Sequence, residues 1–231
     1  MKAATTTSKE DYLKAILEAW AEGQTVIPAL IAHRLGVSPP AVTMALKRLR
    51  RDGLVEPDSD GTVRLSASGH ATAYGTAMRH HLIERMLSEI FHMPWHQIHE
   101  EAERLEHAVS PAFEACLRQE LGESGTCPHG NGVLPTPAAV RIERGELRLS
   151  EAASQRAYHA VNLVVVSLEE RDPELLADLH EAGVGPGTRL SVRAHNHDQA
   201  LAIQMEAGTV TLGRAAAGAV WVRRAAQPGP G

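Results

Sequence analysis

The four residues Gly36-Val37-Ser38-Pro39 constrain this chain more than any other stretch. A glycine stops one helix, and two residues later a serine cap with proline at the next position starts another. Apolar residues at helical spacing lie on both sides. Residues 28–35 open on Pro28 and read as a short helix. Residues 39 to about 52 place Val42, Leu46 and Leu49 on one face and end at Gly53. Upstream, residues 8–21 carry Leu13, Ile16, Leu17 and Trp20 at helical spacing, with Ser8 and Asp11 in a capping pattern. Downstream, residues 55–56 and 63–65 read as two short strands across the turn-forming residues 57–61. Helix, helix, tight turn, helix and hairpin make a winged helix-turn-helix.

Residues 68–89 read as one long helix with Gly69 and Gly75 as weak points, and residues 96 to about 121 as the next. Both are amphipathic and offer an all-α dimerisation layer. Residues 122–137 are rich in glycine and proline and form a loop or linker. Beyond it the pattern changes. Residues 161–167, 188–193, 200–205, 209–212 and 221–222 read as strands and 172–182 as a short helix, giving a β-barrel of SH3-like size. The fold expected is mostly α with a small β domain. Its parts are a winged helix over 1–73, an α-helical metal-binding and dimerisation domain over 74–150, and an SH3-like barrel over 157–225.

Charge is unevenly placed. Residues 1–75 hold nine Lys/Arg against eight Asp/Glu, and residues 76–150 seven against eleven, within a chain of net charge −5. DNA contact should therefore be local and N-terminal, and an acidic middle suits a cation. Two cysteines make no disulfide framework. The N-terminus has no apolar signal core and no stretch is long enough to span a bilayer, so a cytoplasmic protein without membrane contact is expected.

Of thirteen histidines, six (His80, His81, His92, His96, His99 and His107) fall within 28 residues. On a helical wheel with Ile98 at zero, Ala102, Leu105 and Val109 form a core stripe. Glu106, His99, Glu103 and His107 then fall at about 80°, 100°, 140° and 180°. Two carboxylates and two imidazoles thus gather on one flank, and His80 and Glu84 are spaced to face the same way. Such mixed donors suit Mn²⁺ or Fe²⁺. A solvated charged face with incidental histidines is the plainer alternative, but acidic groups packed beside a core stripe call for a cation. His99-Glu100 is followed by Glu103 where a zinc protease motif needs histidine, so hydrolysis has little support and no enzyme is expected. Cys127-Pro128-His129 places a soft and a borderline ligand two residues apart. It can close on one ion, or form a rigid proline turn around a buried thiol.

The helix over 39–52 carries Lys47, Arg48, Arg50 and Arg51 in its second half, where they can meet phosphates, with Arg64 of the wing beside them. Ser38, Pro39, Pro40, Thr43 and Met44 would enter the major groove. Only Ser38 and Thr43 offer hydrogen bonds, while Pro40 and Met44 suit thymine methyls. Base readout should be sparse and shape readout larger.

With these segments in view, the chain resembles the DtxR/MntR family of metal-dependent transcriptional repressors over nearly its whole length. The matching motifs are Thr7-Ser8-Lys9-Glu10-Asp11-Tyr12-Leu13, Arg51-Asp52-Gly53-Leu54-Val55, His80 with Glu84, His99 to His107, Cys127-Pro128-His129-Gly130 and Arg171-Asp172-Pro173-Glu174-Leu175-Leu176. The resemblance implies a primary metal site of Asp11, Glu103, Glu106 and His107. Iron-sensing members place Met and Cys where this chain has Asp11 and Glu103, so the oxygen-and-imidazole set resembles the manganese-sensing type. A second site is implied near His80, Glu84 and His99. Other relatives build theirs from the Glu84 position, the Cys127/His129 pair and an acidic residue matched here by Glu170. Some manganese regulators carry a further Glu where this chain has Lys14, which argues against their two-ion arrangement. A SH3-like, FeoA-type domain is implied from about residue 158.

The function expected is a Mn²⁺-dependent repressor, Fe²⁺ being possible, that binds a palindromic double-stranded operator as a homodimer and controls metal-homeostasis genes. A winged-helix regulator answering to an organic ligand, and a metallohydrolase or metal-storage module, are the alternatives.

Overall fold

The computed structural model describes residues 7–57, 61–195 and 200–226. The chain divides into two compact units. One comprises residues 1–83, 103–124 and 132–138, and the other residues 84–102, 125–131 and 139–231.

The first unit opens with α1 (Thr7–Ala21), α2 (Pro28–Leu35) and α3 (Pro39–Arg51), followed by a hairpin of β1 (Val55–Pro57) and β2 (Val63–Leu65). Helix α1 is already formed at Thr7, so Ser8 lies inside it and is not its cap. Gly36 adopts the left-handed conformation that closes α2, and Ser38 accepts a hydrogen bond from the Ala41 N–H to open α3. Such a cap stabilises by about 1 kcal/mol. Val42, Ala45, Leu46 and Leu49 recur at helical spacing and bury one face of α3 against Leu13, Ile16, Leu17 and Ile31. Trp20 is the exception to the expected α1 stripe. It is 62% exposed, and Tyr12 is buried instead. Asp58, Ser59 and Asp60 of the expected wing turn lie outside the described residues.

Helix α4 (Ala67–Glu89) is continuous through both glycines. A Cβ on Gly69 would lie 1.9 Å from the Leu54 carbonyl oxygen, so this glycine permits the close approach of α4 to the chain before β1. The helix expected over 96–121 is two helices, α5 (Trp95–Leu105) and α6 (Pro111–Leu121). The cause is Ser110-Pro111. Proline disfavours helical backbone in the residue before it, and Ser110 caps α6 by accepting from the Phe113 N–H. Residues 106–108 form a turn. Glu106 and His107 therefore leave the helix, and the wheel does not describe them. Ile98 and Ala102 keep their places in the buried stripe, while Val109 is only half-buried and off the helix.

The second unit holds a six-stranded antiparallel sheet in the order β3-β8-β4-β5-β6-β7. Its strands are β3 (Glu146–Arg148), β4 (Leu163–Leu168), β5 (Arg189–His195), β6 (Leu201–Met205), β7 (Gly208–Leu212) and β8 (Val220–Arg224). Helix α9 (Pro173–Glu181) is capped by Asp172. Three short helices were not expected from sequence: α7 (Ala138–Glu143), α8 (Leu149–Ser154) and α10 (Arg214–Ala219). Strand β3 was also unforeseen. Through it and α8, Leu147, Leu149 and Ala152 enter the core with Leu163, Leu176, Leu190, Ile203 and Val222. Among the described residues no helix is long and apolar enough to cross a membrane.

Candidate metal centres and DNA-facing surface

The first centre lies in the first unit, between α1 and the turn after α5. His107 Nε2 is 2.7 Å from Asp11 Oδ1 and 3.4 Å from Glu106 Oε1. The donor atoms of these three residues all lie within 4.8 Å of one another. The other Glu106 oxygen, Oε2, accepts from Lys14 Nζ at 2.7 Å and lies 2.7 Å from His80 Nδ1. Glu106 is 2% exposed. Burial alone would oppose its ionisation, but the His80 hydrogen bond and the Lys14 charge prevail and bring its pKa from the ordinary 4.5 to about 2. Asp11 is shifted upward by burial, with His107 opposing the shift. Burial disfavours the Lys14 ammonium, yet the carboxylates of Glu18 and Glu106 raise its pKa. Two carboxylates and an imidazole, hard and borderline donors without sulfur, fit Mn²⁺ or Fe²⁺. Lys14 already places one positive charge on the outer oxygen of Glu106, where a second ion would be repelled.

Glu103 is exposed on α5, outside this cluster of three. His80 is drawn to Glu106 through Nδ1.

The second centre lies in the second unit. Its donors are Glu84, Cys127, His129 and Glu170, again all within 4.8 Å. Cys127 Sγ is 3.6 Å from both His129 Nδ1 and Glu170 Oε2, and His129 Nδ1 is 3.3 Å from Glu170 Oε2 and 3.5 Å from Glu84 Oε1. His99 Nδ1 is 3.1 Å from the same Glu84 oxygen. The loop is tightly built. Cys127 N–H donates to Asn131 O and Gly130 N–H to Cys127 O, while Leu168 N–H donates to His129 O. Gly130 has φ +82°, and a Cβ there would lie 2.1 Å from Val166 O. His129 Nε2–H donates to the Trp95 carbonyl at 2.9 Å, which turns Nδ1 toward the other donors. Asn131 Nδ2 donates to Glu170 Oε2 at 2.9 Å and so fixes that carboxylate.

Burial and the charges of Glu84 and Glu170 push the Cys127 thiol well above its ordinary range. Burial would lower the pKa of His129, but Glu170 and Glu84 raise it to about 9. Glu170 is held at about 2, because His129 and His99 outweigh burial and the Glu84 charge. Without a metal this is an imidazolium between two carboxylates and a neutral thiol. With one, the donor set of sulfur, imidazole and two carboxylates fits a borderline divalent cation.

Sequence reasoning missed three supporting residues: Glu10, which faces His107 Nδ1 at 2.8 Å, Asn131, and the carbonyl of Trp95. Only Glu10 left a signal, as a second carboxylate beside Asp11.

On α3, Pro39, Pro40, Thr43, Met44, Lys47, Arg48 and Arg51 are exposed, as are Ser38 before it and Arg64 on β2. Met44 is 58% exposed. Thr43 Oγ1 donates to Pro39 O, and the hydroxyl oxygen keeps its capacity to accept. Arg51 Nε lies 3.3 Å from Asp52.

Three family models match: the iron-dependent repressor N-terminal DNA-binding domain over residues 4–63, the iron-dependent repressor metal-binding and dimerisation domain over 66–134, and the FeoA domain over 157–224. The iron-dependent repressor IdeR of Mycobacterium tuberculosis strain H37Rv is 34% identical over 192 residues, covering 79% of this chain and 82% of that protein. The chain belongs to the iron-dependent repressor family. Another member, IdeR of Mycobacterium leprae, is 32% identical over 93% of this chain and 96% of its own length. Among solved structures, a manganese-dependent transcriptional repressor in complex with manganese aligns with a TM-score of 0.75 at 31% identity, covering 94% of this chain and all of that one. ScaR with bound Cd²⁺ aligns at 0.72 and 26% identity, covering 94% of this chain and 99% of that one. These likenesses span DNA-binding, dimerisation and FeoA segments alike.

Proposed function

We propose that this family member is a Mn²⁺-dependent DNA-binding transcriptional repressor, with Fe²⁺ as an alternative activator, acting without catalysis in the cytoplasm on metal-homeostasis genes. The observation that carries the reading is the 2.7 Å approach of Asp11 to His107 across 96 residues. Asp11 belongs to the helix whose buried face packs on α3, and His107 belongs to the segment matched by the metal-binding and dimerisation model.

Asp11, Glu106 and His107 would hold the ion, with Glu103 joining them only by turning in from its exposed place on α5, and Glu84, Cys127, His129 and Glu170, with His99 beside them, would hold another. His80 supports Glu106. A divalent cation supplies the positive charge that lets the carboxylates converge. Asp11 then ties α1 to the turn after α5 and so sets the position of α3. Lys14 on Glu106 favours one ion at the first centre rather than two. The absence of sulfur from that donor set favours manganese, and the name of the manganese-bound relative agrees with it.

The exposed face of α3 would enter the major groove. Ser38, Pro39, Pro40, Thr43 and Met44 would meet base edges, and Lys47, Arg48, Arg51 and Arg64 would meet phosphates. A homodimer places two such helices near one DNA turn apart, about 34 Å, and calls for a palindromic operator. Exposed Ile90, Phe91 and Phe113 in the dimerisation segment support pairing of copies. Replacing Asp11 by Ala should leave a folded protein whose DNA affinity no longer rises on adding Mn²⁺. An unchanged Mn²⁺ response, read by fluorescence anisotropy, would sink the proposal.

A further inference from the structure

We propose that Glu10 is the residue that orients His107 for metal binding, through the ring nitrogen that the metal does not use. The inference rests on the reading of Asp11, Glu106 and His107 as a metal centre.

Glu10 and Asp11 are consecutive on α1, so they diverge by about 100° around the helix and cannot both face one side of the ring. They take opposite ring nitrogens instead. Asp11 Oδ1 is 2.7 Å from Nε2, and Glu10 Oε2 is 2.8 Å from Nδ1. Glu106 Oε1 is also on the Nε2 side, at 3.4 Å. The donors thus converge where Nε2 points, and Glu10 lies behind the ring. An ionised carboxylate only accepts hydrogen bonds. Glu10 therefore keeps the proton on Nδ1, and Nε2, which faces Asp11 and Glu106, is the nitrogen that gives up its proton when a cation binds there.

Glu10 is itself held. Arg79 Nη2 donates to its other oxygen, Oε1, at 3.4 Å and to Thr76 Oγ1 at 3.2 Å, and Arg79 Nε lies 3.7 Å from Glu114. The Glu10 side chain is 14% exposed and that of Arg79 18%. The order Arg79, Glu10, His107 is therefore a half-buried relay joining α4, α1 and the turn after α5. A carboxylate behind a ligating imidazole fixes its tautomer and ring angle and strengthens it as a donor, and removing such a partner usually costs 10- to 100-fold in metal affinity.

The test uses the full chain carrying Cys127→Ala, which removes the sulfur donor of the second centre, with free Mn²⁺ quantified by electron paramagnetic resonance. Glu10→Met keeps the helix propensity and the apolar stem but removes the acceptor. It should weaken Mn²⁺ binding roughly 10- to 100-fold. Glu10→Gln, whose amide oxygen still accepts from Nδ1–H, should recover most of that loss. A purely structural Glu10 would lower the melting temperature in both variants and leave affinity unchanged, which overturns the assignment provided Asp11→Ala abolishes binding. If Asp11→Ala also binds Mn²⁺ normally, the centre itself has been misread and the assignment falls with it. The tautomer is checked without any Glu10 variant. In the Zn²⁺-loaded protein with ¹⁵N-labelled histidine, the His107 signal, assigned by its loss in His107→Gln, should show Nδ1 protonated and Nε2 ligated. Ligation through Nδ1 would overturn the proposal.

Discussion

Replacing Lys14 by Met tests the electrostatics of the first centre. Lys14 and Glu106 pair at 2.7 Å with side chains only 11% and 3% exposed. Their gross attraction at an effective dielectric near 20 is about 6 kcal/mol, much of it offset by desolvation. A second measure is the depression of Glu106 from 4.5 to about 2, worth about 3 kcal/mol and shared between His80 and Lys14. Removing one partner of a buried pair typically costs about 3–5 kcal/mol, because the other charge stays buried. His80 keeps its hold on Glu106, so Lys14→Met should destabilise the metal-free protein by about 2 kcal/mol. For a unit of this size that lowers the melting temperature by roughly 6 °C or more. Mn²⁺ replaces the lost charge beside Glu106, and at 100 times its dissociation constant it restores about 2.7 kcal/mol. It no longer faces the ammonium, so the variant should gain more stability than the wild type at equal Mn²⁺. Melting is followed by circular dichroism in EDTA and in Mn²⁺. A variant that melts in EDTA within a degree or two of the wild type, or gains no more than the wild type from Mn²⁺, would refute the reasoning.

Two further outcomes follow from the same centres. Glu106 and Glu170 are both depressed to about 2, so their contribution is present above about 4.5 and lost as pH falls toward 2. His129 is raised to about 9, so its contribution is complete below about 6.5 and lost as pH rises through 9. Urea midpoints in EDTA should peak between pH ~4.5 and ~6.5, and a flat profile from pH 3 to 10 would contradict these shifts. Gly130→Ala must fit a Cβ 2.1 Å from Val166 O at φ +82°. It should cost upward of ~2 kcal/mol and abolish the thiolate-to-cobalt absorption band of Co²⁺ bound at Cys127; an intact band would show that the loop tolerates it.

The winged helix was legible because its signals are local. Gly36, Ser38 and Pro39 act on their own backbone, and the stripe of α3 repeats within one helix. Asp172 marked the start of α9 for the same reason. The helix over 96–121 was misread because the hydrophobic period ran past Ser110-Pro111, whose backbone restriction decides the break. That break carries functional weight, since it frees Glu106 and His107 to turn toward α1. Trp20 fitted the period of α1 but lies one residue before the helix ends, where angular position alone does not decide burial. The short strand β3 has only three residues and gains its place from pairing with β8, more than seventy residues away, which no local pattern reports. The assembly of Asp11 with His107, and of Cys127 with Glu170, was likewise invisible to spacing and came from family resemblance. Glu10 stayed hidden because its partner is a ring nitrogen 97 residues away.

The central claim is that a divalent metal switches DNA binding on through Asp11, Glu106 and His107. Fluorescence anisotropy of a labelled palindromic promoter fragment, titrated with the full-length protein under anaerobic conditions, tests it most directly. Affinity should rise at least tenfold on adding Mn²⁺ or Fe²⁺, a shift of about 1.4 kcal/mol, and should return to its starting value on adding chelator. Tight binding that neither metal nor chelator alters would contradict the account.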